Sequence, residues 1–240
     1  AEDTATLALP DDAVAGRSQL TVTLAPSLAG PIFEALEYLT TYPYGCAEQT
    51  LSGFLPDVIV ARTLKRLGVD RPEPKYLDRY VSFGLQKLLR YQHGDGGWHW
   101  WEFDESDPYV SAYVVYGLKL ADEAGYVGAR DAMVRGTYYL TRSLAQEELL
   151  GARGYLLWAL ARADVWDKAG LASARKTAVD LYGVREKLDV YGRASLALAL
   201  NAMGKSRVAD SATAGELRGL ARTMADELDA SAQRLGVGAY

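Results

Sequence analysis

The sequence predicts a protein built mainly of α-helices and preceded by a short β segment. After residue 30, apolar residues recur with helical spacing, and three stretches of similar composition follow one another at intervals of about 40 residues. The first 30 residues differ, because Gln19 to Leu24 alternate apolar and polar side chains as a half-buried strand does. A chain of 240 residues, 49% of them hydrophobic, is long enough to bury a sizeable core.

The β segment is assigned to residues 1–30. One or two strands are not stable alone in water, so we expect this segment to belong to a sheet whose other strands lie elsewhere in a longer protein. The first ten residues lack the basic and apolar regions of a signal peptide. We therefore expect any export signal to lie on sequence outside this piece.

Residues 31–240 are predicted to be helical. A first helix ends at residues 42–45, where Pro and Gly fall together, and a second helix begins at Cys46. Pro56 either kinks the second helix or starts a new segment, and residues 68–74 end it. The apolar stripes comprise Ile32, Leu36 and Leu39 in the first helix, and Leu51, Phe54, Leu55 and Val58 in the second.

The three similar stretches are Tyr113–Leu118, Tyr155–Leu160 and Ala194–Ala199, with one further helix expected between each pair. A repeat of about 40 residues is typical of helical hairpins that stack side by side and bury one another's faces. Their high content of Ala and Gly permits close approach of neighbouring helices. An open solenoid and a closed ring both satisfy this pattern.

The composition argues against several classes of partner and cofactor. Twenty-six Lys and Arg against 31 Asp and Glu give a net charge of −5, so we expect no binding to nucleic acid. No stretch approaches the roughly 20 apolar residues that span a bilayer. Cys46 is the single cysteine, and together with His93 and His99 it gives too few soft ligands for a structural zinc site. We expect neither a metal nor a bound cofactor.

A thiol and a carboxamide stand three residues apart at the predicted helix start, as Cys46 and Gln49. Residues i and i+3 share a helix face with Cβ atoms about 5–6 Å apart, so the sulfur can reach the glutamine side chain. Attack of the Cys46 thiolate on the Gln49 amide, with loss of ammonia, would leave an internal thioester. The free N–H groups and positive dipole at the helix start favour such chemistry.

Three neighbours of this pair are candidate supporting residues. Tyr44, like Tyr42, is a candidate for shielding the thioester from water. Gly45 belongs to the break before the helix. Glu48 either orders the helix start, as a first-turn carboxylate commonly does, or polarises a nucleophile.

The string Pro-Tyr-Gly-Cys-Ala-Glu-Gln-Thr at residues 43–50 closely resembles the thioester motif of the alpha-2-macroglobulin and complement thioester family, in which Gly-Cys-x-Glu-Gln recurs. The stretch Gln92–Trp98, followed by Ser111–Tyr113, resembles the Asp-Gly-Gly loop and the Thr/Ser-Ala-Tyr helix of that family. The likeness extends over roughly residues 30–205 and is strongest to bacterial members. In those members the thioester domain interrupts a CUB-like β-sandwich.

The resemblance implies an α/α toroid of helical hairpins as the fold of residues 31–240, with residues 1–30 as a limb of the flanking CUB-like sandwich. Thioester domains of the family are usually longer, so we expect the ring to be incomplete at its C-terminal end. Carried over to this sequence, Cys46 and Gln49 are the thioester pair.

The implied function is the covalent trapping of proteases, with Gln49 acylating a lysine amine of the attacker, or a hydroxyl or water. Such a protein is a single-turnover inhibitor rather than an enzyme. Its partners would be target proteases and other domains of the same longer chain. The resemblance also implies a periplasmic or extracellular location, with a lipid anchor as one option in the full-length protein.

Two alternatives remain open at this stage. Gln92, Gly96 and Trp98 also fit the Gln-x-x-x-Gly-x-Trp repeat of squalene-type cyclases, which share the helical ring with prenyltransferases. Neither the Asp-x-Asp-Asp string of the cyclases nor the zinc ligands of the prenyltransferases is present. The other alternative is a non-catalytic helical interaction module, in which Cys46 would be a plain, titratable thiol.

The segment that follows residue 92 is expected to be structural. Trp98, Trp100 and Trp101 either pack against the next helix or cover the thioester, and packing is favoured. His93 and His99 are expected to be hydrogen-bonded loop residues rather than proton shuttles. The acidic residues are expected to be solvated loop charges rather than metal ligands; they are Glu102, Asp104, Glu105 and Asp107.

Overall fold

The computed structural model of the chain describes residues 45–67, 77–232, 234–235 and 238–239. The predicted β segment at residues 1–30, the predicted first helix, Tyr42 and Tyr44 lie outside the described residues. The two domain assignments, 1–30 and 31–240, therefore stay predictions.

Eight α-helices and one short 3₁₀ turn make up most of the described part of the chain. The helices are α1 (Ala47–Leu67), α2 (Leu77–Arg90), α3 (Pro108–Ala124), α4 (Ala129–Gln146), α5 (Leu150–Ala163), α6 (Lys168–Tyr182), α7 (Val190–Met203) and α8 (Ser211–Ser231), and the 3₁₀ turn is Arg185–Lys187. An antiparallel pair of two-residue strands follows, β1 (Arg234–Leu235) and β2 (Gly238–Ala239), which the sequence analysis did not predict.

The helices form two layers. Helices α1, α3, α5 and α7 pack in that order as one layer, each against the next. The alternate helices form the second layer: α2 packs on α1, α4 on α3 and α5, α6 on α5 and α7, and α8 on α7. The predicted helical hairpins are confirmed, and the three similar stretches lie on α3, α5 and α7, in a single layer.

The core lies between the layers and within the first of them. Leu118, Leu156 and Leu196, one from each of the three similar stretches, are fully buried. Ala159 and Ala199 are also fully buried, and their small side chains let α5 and α7 pack closely. Close packing at small residues is what the alanine content of these stretches predicts.

Aspartates fix the starts of four of the helices. Each one accepts a hydrogen bond from a backbone N–H three residues further on, which satisfies a donor that the helix itself leaves free. These N-cap residues are Asp107 of α3, Asp167 of α6, Asp189 of α7 and Asp210 of α8.

Helix α1 carries the candidate site and is continuous through Pro56. The alternative of a new segment at Pro56 is therefore excluded. The helix begins at Ala47, so Cys46 is the residue that precedes the first helical turn, and it ends at Leu67, before the segment predicted to break it. Among the described residues, no helix is both long and apolar enough to cross a membrane.

Candidate functional site

Cys46 and Gln49 are joined by two hydrogen bonds at the start of α1. The backbone N–H of Cys46 donates to the side-chain oxygen Oε1 of Gln49, 3.3 Å away. The backbone N–H of Gln49 donates to the sulfur Sγ of Cys46, 3.5 Å away. This reciprocal pattern is the capping box, in which the residues before the helix and in its third position satisfy each other's N–H groups, here with a thiol and a carboxamide. The capping geometry therefore brings the sulfur and the side-chain amide to the same side of the helix.

The two members of the pair differ in exposure. Cys46 is buried, at 6% of its accessible surface, and the Gln49 side chain is exposed. A sulfur inside the fold with an acyl carbon at the surface is the arrangement that a nucleophile from another molecule requires. An attacking group could reach the side-chain carbon of Gln49 from solvent while Cys46 stays buried.

Gly45 lies directly against Gln49. A Cβ atom added at Gly45 would come within 3.1 Å of Gln49 Cβ and 3.4 Å of the backbone nitrogen of Thr50. A larger residue at position 45 would therefore require the Gln49 side chain to shift by a few tenths of an ångström. This gives the predicted supporting residue Gly45 a physical role.

Lys87, on α2, holds the backbone just before Cys46. Its ammonium group Nζ donates a hydrogen bond to the carbonyl oxygen of Gly45 over 2.7 Å. Burial lowers the pKa of Lys87, and the charge of Arg90 acts in the same direction, whereas the charge of Cys46 opposes them. The sequence does not predict the role of Lys87, because nothing in the spacing of α2 indicates which of its residues faces Cys46.

The loop between α2 and α3 fixes the first turn of α1. The backbone N–H of Ala47 donates to the carbonyl oxygen of Trp100 over 2.8 Å, so a donor at the helix start is satisfied by this loop. The side chain of Trp100 is 40% exposed, and that of Trp101 is 56% exposed. The contribution of Trp100 to the site is thus its carbonyl group rather than its indole.

Trp98 anchors this loop in the core. Its side chain is fully buried, and its indole N–H donates to the carbonyl oxygen of Leu88, in the last turn of α2, over 2.8 Å. Its backbone N–H donates to the hydroxyl of Ser111, and its carbonyl oxygen accepts from the N–H of Asp107. The predicted packing role of Trp98 is confirmed.

A tight turn precedes Trp98. Gly96 has φ = 95°, a left-handed conformation, and a Cβ there would lie 2.5 Å from the carbonyl oxygen of Arg135. The side-chain amide of Gln92 donates to the carbonyl oxygens of Gly96 and Ala132. Gln92, Gly96 and Trp98 therefore join this loop to α2 and α4, which accounts for the Gln-x-x-x-Gly-x-Trp pattern by packing alone.

Glu48 points along α1 rather than toward Gln49. Its carboxylate accepts a hydrogen bond from the hydroxyl of Ser52 over 2.7 Å, and the Ser52 oxygen lies 3.4 Å from the hydroxyl of Tyr113 on α3. Since Ser52 has one hydrogen and gives it to Glu48, Tyr113 is the donor in the second contact. Glu48 also lies in the first turn, where the helix dipole favours a negative charge.

Aromatic side chains cluster on the layer formed by α3, α5 and α7. Tyr155 stacks on Tyr109 and on Trp158, and it also contacts Tyr191. Burial raises the pKa of Tyr155 above its ordinary range. The sequence does not predict this cluster, because its members come from three separate helices.

Both histidines and two of the acidic residues of the loop, Asp104 and Asp107, have local partners. His93 Nδ1 lies 2.9 Å from the hydroxyl of Ser106, and His99 Nδ1 lies 3.0 Å from the carboxylate of Asp104. Asp107 caps α3. Within the described ranges no group of three or more His, Cys, Asp and Glu side chains could hold a metal ion. Each histidine therefore has one polar neighbour within the loop.

The fold and the site define a class: a two-layer α/α domain in which a buried cysteine and an exposed glutamine cap the first helix together. The chain belongs to the A-macroglobulin TED domain family, whose match covers residues 22–148, just over half of its length. The resemblance drawn from the motif at residues 43–50 is thereby confirmed.

Two relatives and one solved structure give the extent of the likeness. An alpha-2-macroglobulin of Thermotoga maritima is 36% identical over 137 residues, which are 57% of this chain and 8% of that protein. One from Escherichia coli K12 is 30% identical over 218 residues, 88% of this chain and 13% of that protein. The crystal structure of native Escherichia coli alpha-2-macroglobulin from domain MG7 to the C-terminus superposes with a TM-score of 0.59 and 26% identity, over 80% of this chain and 31% of that one.

These comparisons confirm the predicted α/α toroid class of fold. The expected incompleteness of the ring at its C-terminal end stays a prediction. The chain spans about a tenth of the length of the two relatives.

Proposed function

We propose that Cys46 and Gln49 form an internal thioester and that this domain serves a protease-trapping macroglobulin. The observation that carries the proposal is the pair of reciprocal hydrogen bonds between these residues, which places the thiol against the carboxamide at a helix start. Membership of the A-macroglobulin TED domain family supports it.

Formation of the bond is an acyl substitution at the Gln49 side chain. The Cys46 thiolate attacks the carboxamide carbon, a C–S bond forms, the C–N bond breaks, and the nitrogen leaves as ammonia after taking up a proton. The product stores an activated acyl group without any bound cofactor.

Capture of a target is a second substitution at the same carbon. The amine of a target lysine attacks, a C–N bond forms, the C–S bond breaks, and the sulfur leaves as the Cys46 thiolate while the surplus amine proton passes to solvent. A hydroxyl group or water would react in the same way. Each molecule carries one such bond, which the reaction consumes, so the protein acts once and does not turn over.

The targets in this proposal are proteases, whose cleavage of a bait segment elsewhere in the intact protein would expose the thioester. The other partners are the remaining domains of the same longer chain. We expect the protein to work in the periplasm or outside the cell.

The direct test is the mass of freshly purified, never denatured protein before and after treatment with methylamine. The proposal predicts a mass about 17 Da below that of the sequence, no alkylation of Cys46, and release of one thiol when methylamine is added. A thioester that had formed and then hydrolysed would leave Glu at position 49 and a mass about 1 Da above that of the sequence. An unchanged mass together with a freely alkylated Cys46 would contradict the proposal.

Capture is tested on the intact protein with trypsin. Wild-type protein is expected to yield a covalent adduct that survives denaturation in detergent, and the Cys46→Ala variant is expected to yield none. Trypsin inactivated at its catalytic serine serves as the control for bait cleavage. An adduct that persists in the Cys46→Ala variant would show that the mechanism is wrong.

A further inference from the structure

We infer that the backbone N–H of Cys46 is the hydrogen-bond donor that stabilises the oxyanion during thioester formation and cleavage, and that Lys87 is the positioning residue that aims it. This inference rests on the proposed function, because it concerns the reaction of the same bond. It assigns a role to a lysine outside the motif and to a backbone group within it.

The geometry of the donor is already present. The Cys46 N–H points at Oε1 of Gln49 over 3.3 Å. This oxygen becomes the acyl oxygen of the thioester and carries the negative charge when a nucleophile adds to the carbon. A backbone donor aimed at the oxygen where charge develops lowers the barrier of acyl transfer.

Lys87 controls this donor through the peptide unit between Gly45 and Cys46. The unit is planar and trans, so its C=O and N–H point in opposite directions. The Lys87 ammonium group holds the C=O end over 2.7 Å, and the N–H end is thereby directed toward Gln49. A cation on the carbonyl oxygen also polarises the peptide and makes its N–H a stronger donor.

The surroundings keep Lys87 in place. Its ammonium lies 5.6 Å from the centre of the Tyr91 ring, a cation–π contact, and its side chain is half-buried between α2 and the start of α1. The next N–H along, that of Ala47, is held by the carbonyl oxygen of Trp100. Two successive peptide units are therefore fixed from outside the helix, which preorganises the site before any nucleophile arrives.

The test compares Lys87→Met, which keeps the stem and removes the cation, with Lys87→Arg, which keeps a cationic donor. The matched control is Arg79→Met, since Arg79 is an exposed cation on the same helix. The rate of thiol release is measured with methylamine and with hydroxylamine, on molecules that carry the thioester. Thermal unfolding followed by circular dichroism reports on folding of each variant.

We expect Lys87→Met to slow release by about 10-fold with both nucleophiles, because the oxyanion forms whichever one attacks. Lys87→Arg is expected to remain within about threefold of wild type, and Arg79→Met to equal wild type. The infrared carbonyl band of the thioester, isolated as the difference before and after methylamine, is expected at higher frequency in Lys87→Met, since a hydrogen bond to the acyl oxygen is weakened. A purely structural role for Lys87 would not move this band.

Equal rates and an unmoved band in a folded Lys87→Met variant would overturn the inference and leave the proposed function intact. Absence of the mass deficit in the wild-type protein would instead overturn the proposed function. If Lys87→Met does not fold, Lys87→Gln is used instead. The glutamine side chain is neutral and too short to hold the Gly45 carbonyl in the same position. A rate for Lys87→Gln equal to that of Lys87→Arg would then contradict the inference.

Discussion

The backbone N–H of Ala47 donates to the carbonyl oxygen of Trp100, and this bond ties the start of α1 to the loop that follows α2. Trp98, two residues earlier, is buried against the last turn of α2 through its indole N–H. The glycine-rich loop therefore connects the core to the start of α1. Trp98 anchors the loop in the core, and the carbonyl group of Trp100 binds the N–H of Ala47, directly after Cys46. The thioester motif at residues 43–50 therefore lies next to the Asp-Gly-Gly loop that begins at Gln92.

Replacing Trp98 by Ala is expected to lower the free energy of unfolding by about 3–5 kcal/mol. The indole is fully buried, so its removal leaves a large cavity, and the Leu88 carbonyl loses its donor. Urea unfolding followed by circular dichroism measures the change. Trp101→Ala is the matched control, because this indole is more than half exposed, and it is expected to change stability by less than about 1 kcal/mol. Equal losses in the two variants would contradict the anchoring role of Trp98.

Replacing Cys46 separates its chemical role from its role in capping. Both Cys46→Ser and Cys46→Ala are expected to abolish the mass deficit and the release of a thiol by methylamine, because no sulfur remains to form the bond. The serine variant is expected to be more stable than the alanine variant by about 0.5–2 kcal/mol, since a hydroxyl group at the N-cap accepts the Gln49 N–H and a methyl group cannot. Thermal unfolding compares the two, and an alanine variant as stable as the serine variant would show that residue 46 does not cap α1.

Adding a methyl group at Gly45 is expected to displace the Gln49 side chain by a few tenths of an ångström. Gly45→Ala should therefore slow methylamine-triggered thiol release, by roughly threefold to tenfold, with little loss of helicity. Gly94→Ala is the matched control, because a Cβ at Gly94 meets nothing within 4 Å. A Gly45→Ala variant that releases its thiol as fast as Gly94→Ala would show that the close approach of residue 45 to Gln49 does not affect the reaction.

The sequence predicts most of the fold because the patterns that indicate it are local. Helical spacing, the repeat of about 40 residues and the glycine- and proline-rich breaks depend on neighbours along the chain. They correctly place the start of α1 within one residue and put the three similar stretches in one layer. Cys46 and Gln49 are also a local pair, since three residues on a helix fix their separation.

The rest of the site depends on contacts between distant segments, which spacing does not show. Lys87 reaches Gly45 only because α2 packs on α1 in one particular register. The sequence draws attention to Trp100 through its indole, but the contact of Trp100 with the helix start is made by a carbonyl group, which every residue possesses. Backbone groups carry no signature in the sequence, so their roles emerge only in the folded chain.

Asp57 makes the stability of the domain depend on pH. This carboxyl group lies on α1 at 3% exposure, and burial raises its pKa from the ordinary 3.8 to about 7. Since the folded state holds the proton more tightly than the unfolded state, the free energy of unfolding falls as the pH rises from about 4 to about 7. Above about pH 7, the pKa of Asp57 in the folded state, the loss of stability is complete. Below 3.8, its ordinary pKa, there is no loss.

The Asp57→Asn variant removes this penalty, because the amide is neutral at every pH. It is expected to exceed wild type in free energy of unfolding by about 2–4 kcal/mol above pH 7 and to match it near pH 4. Urea unfolding across this pH range provides the measurement, with Asp226→Asn on the exposed face of α8 as control. The control should stay within about 0.5 kcal/mol of wild type throughout. If the difference in free energy of unfolding between Asp57→Asn and wild type stayed constant across the range, titration of Asp57 would be excluded as its cause. Only a group that changes its charge between the two pH limits produces a difference that grows with pH.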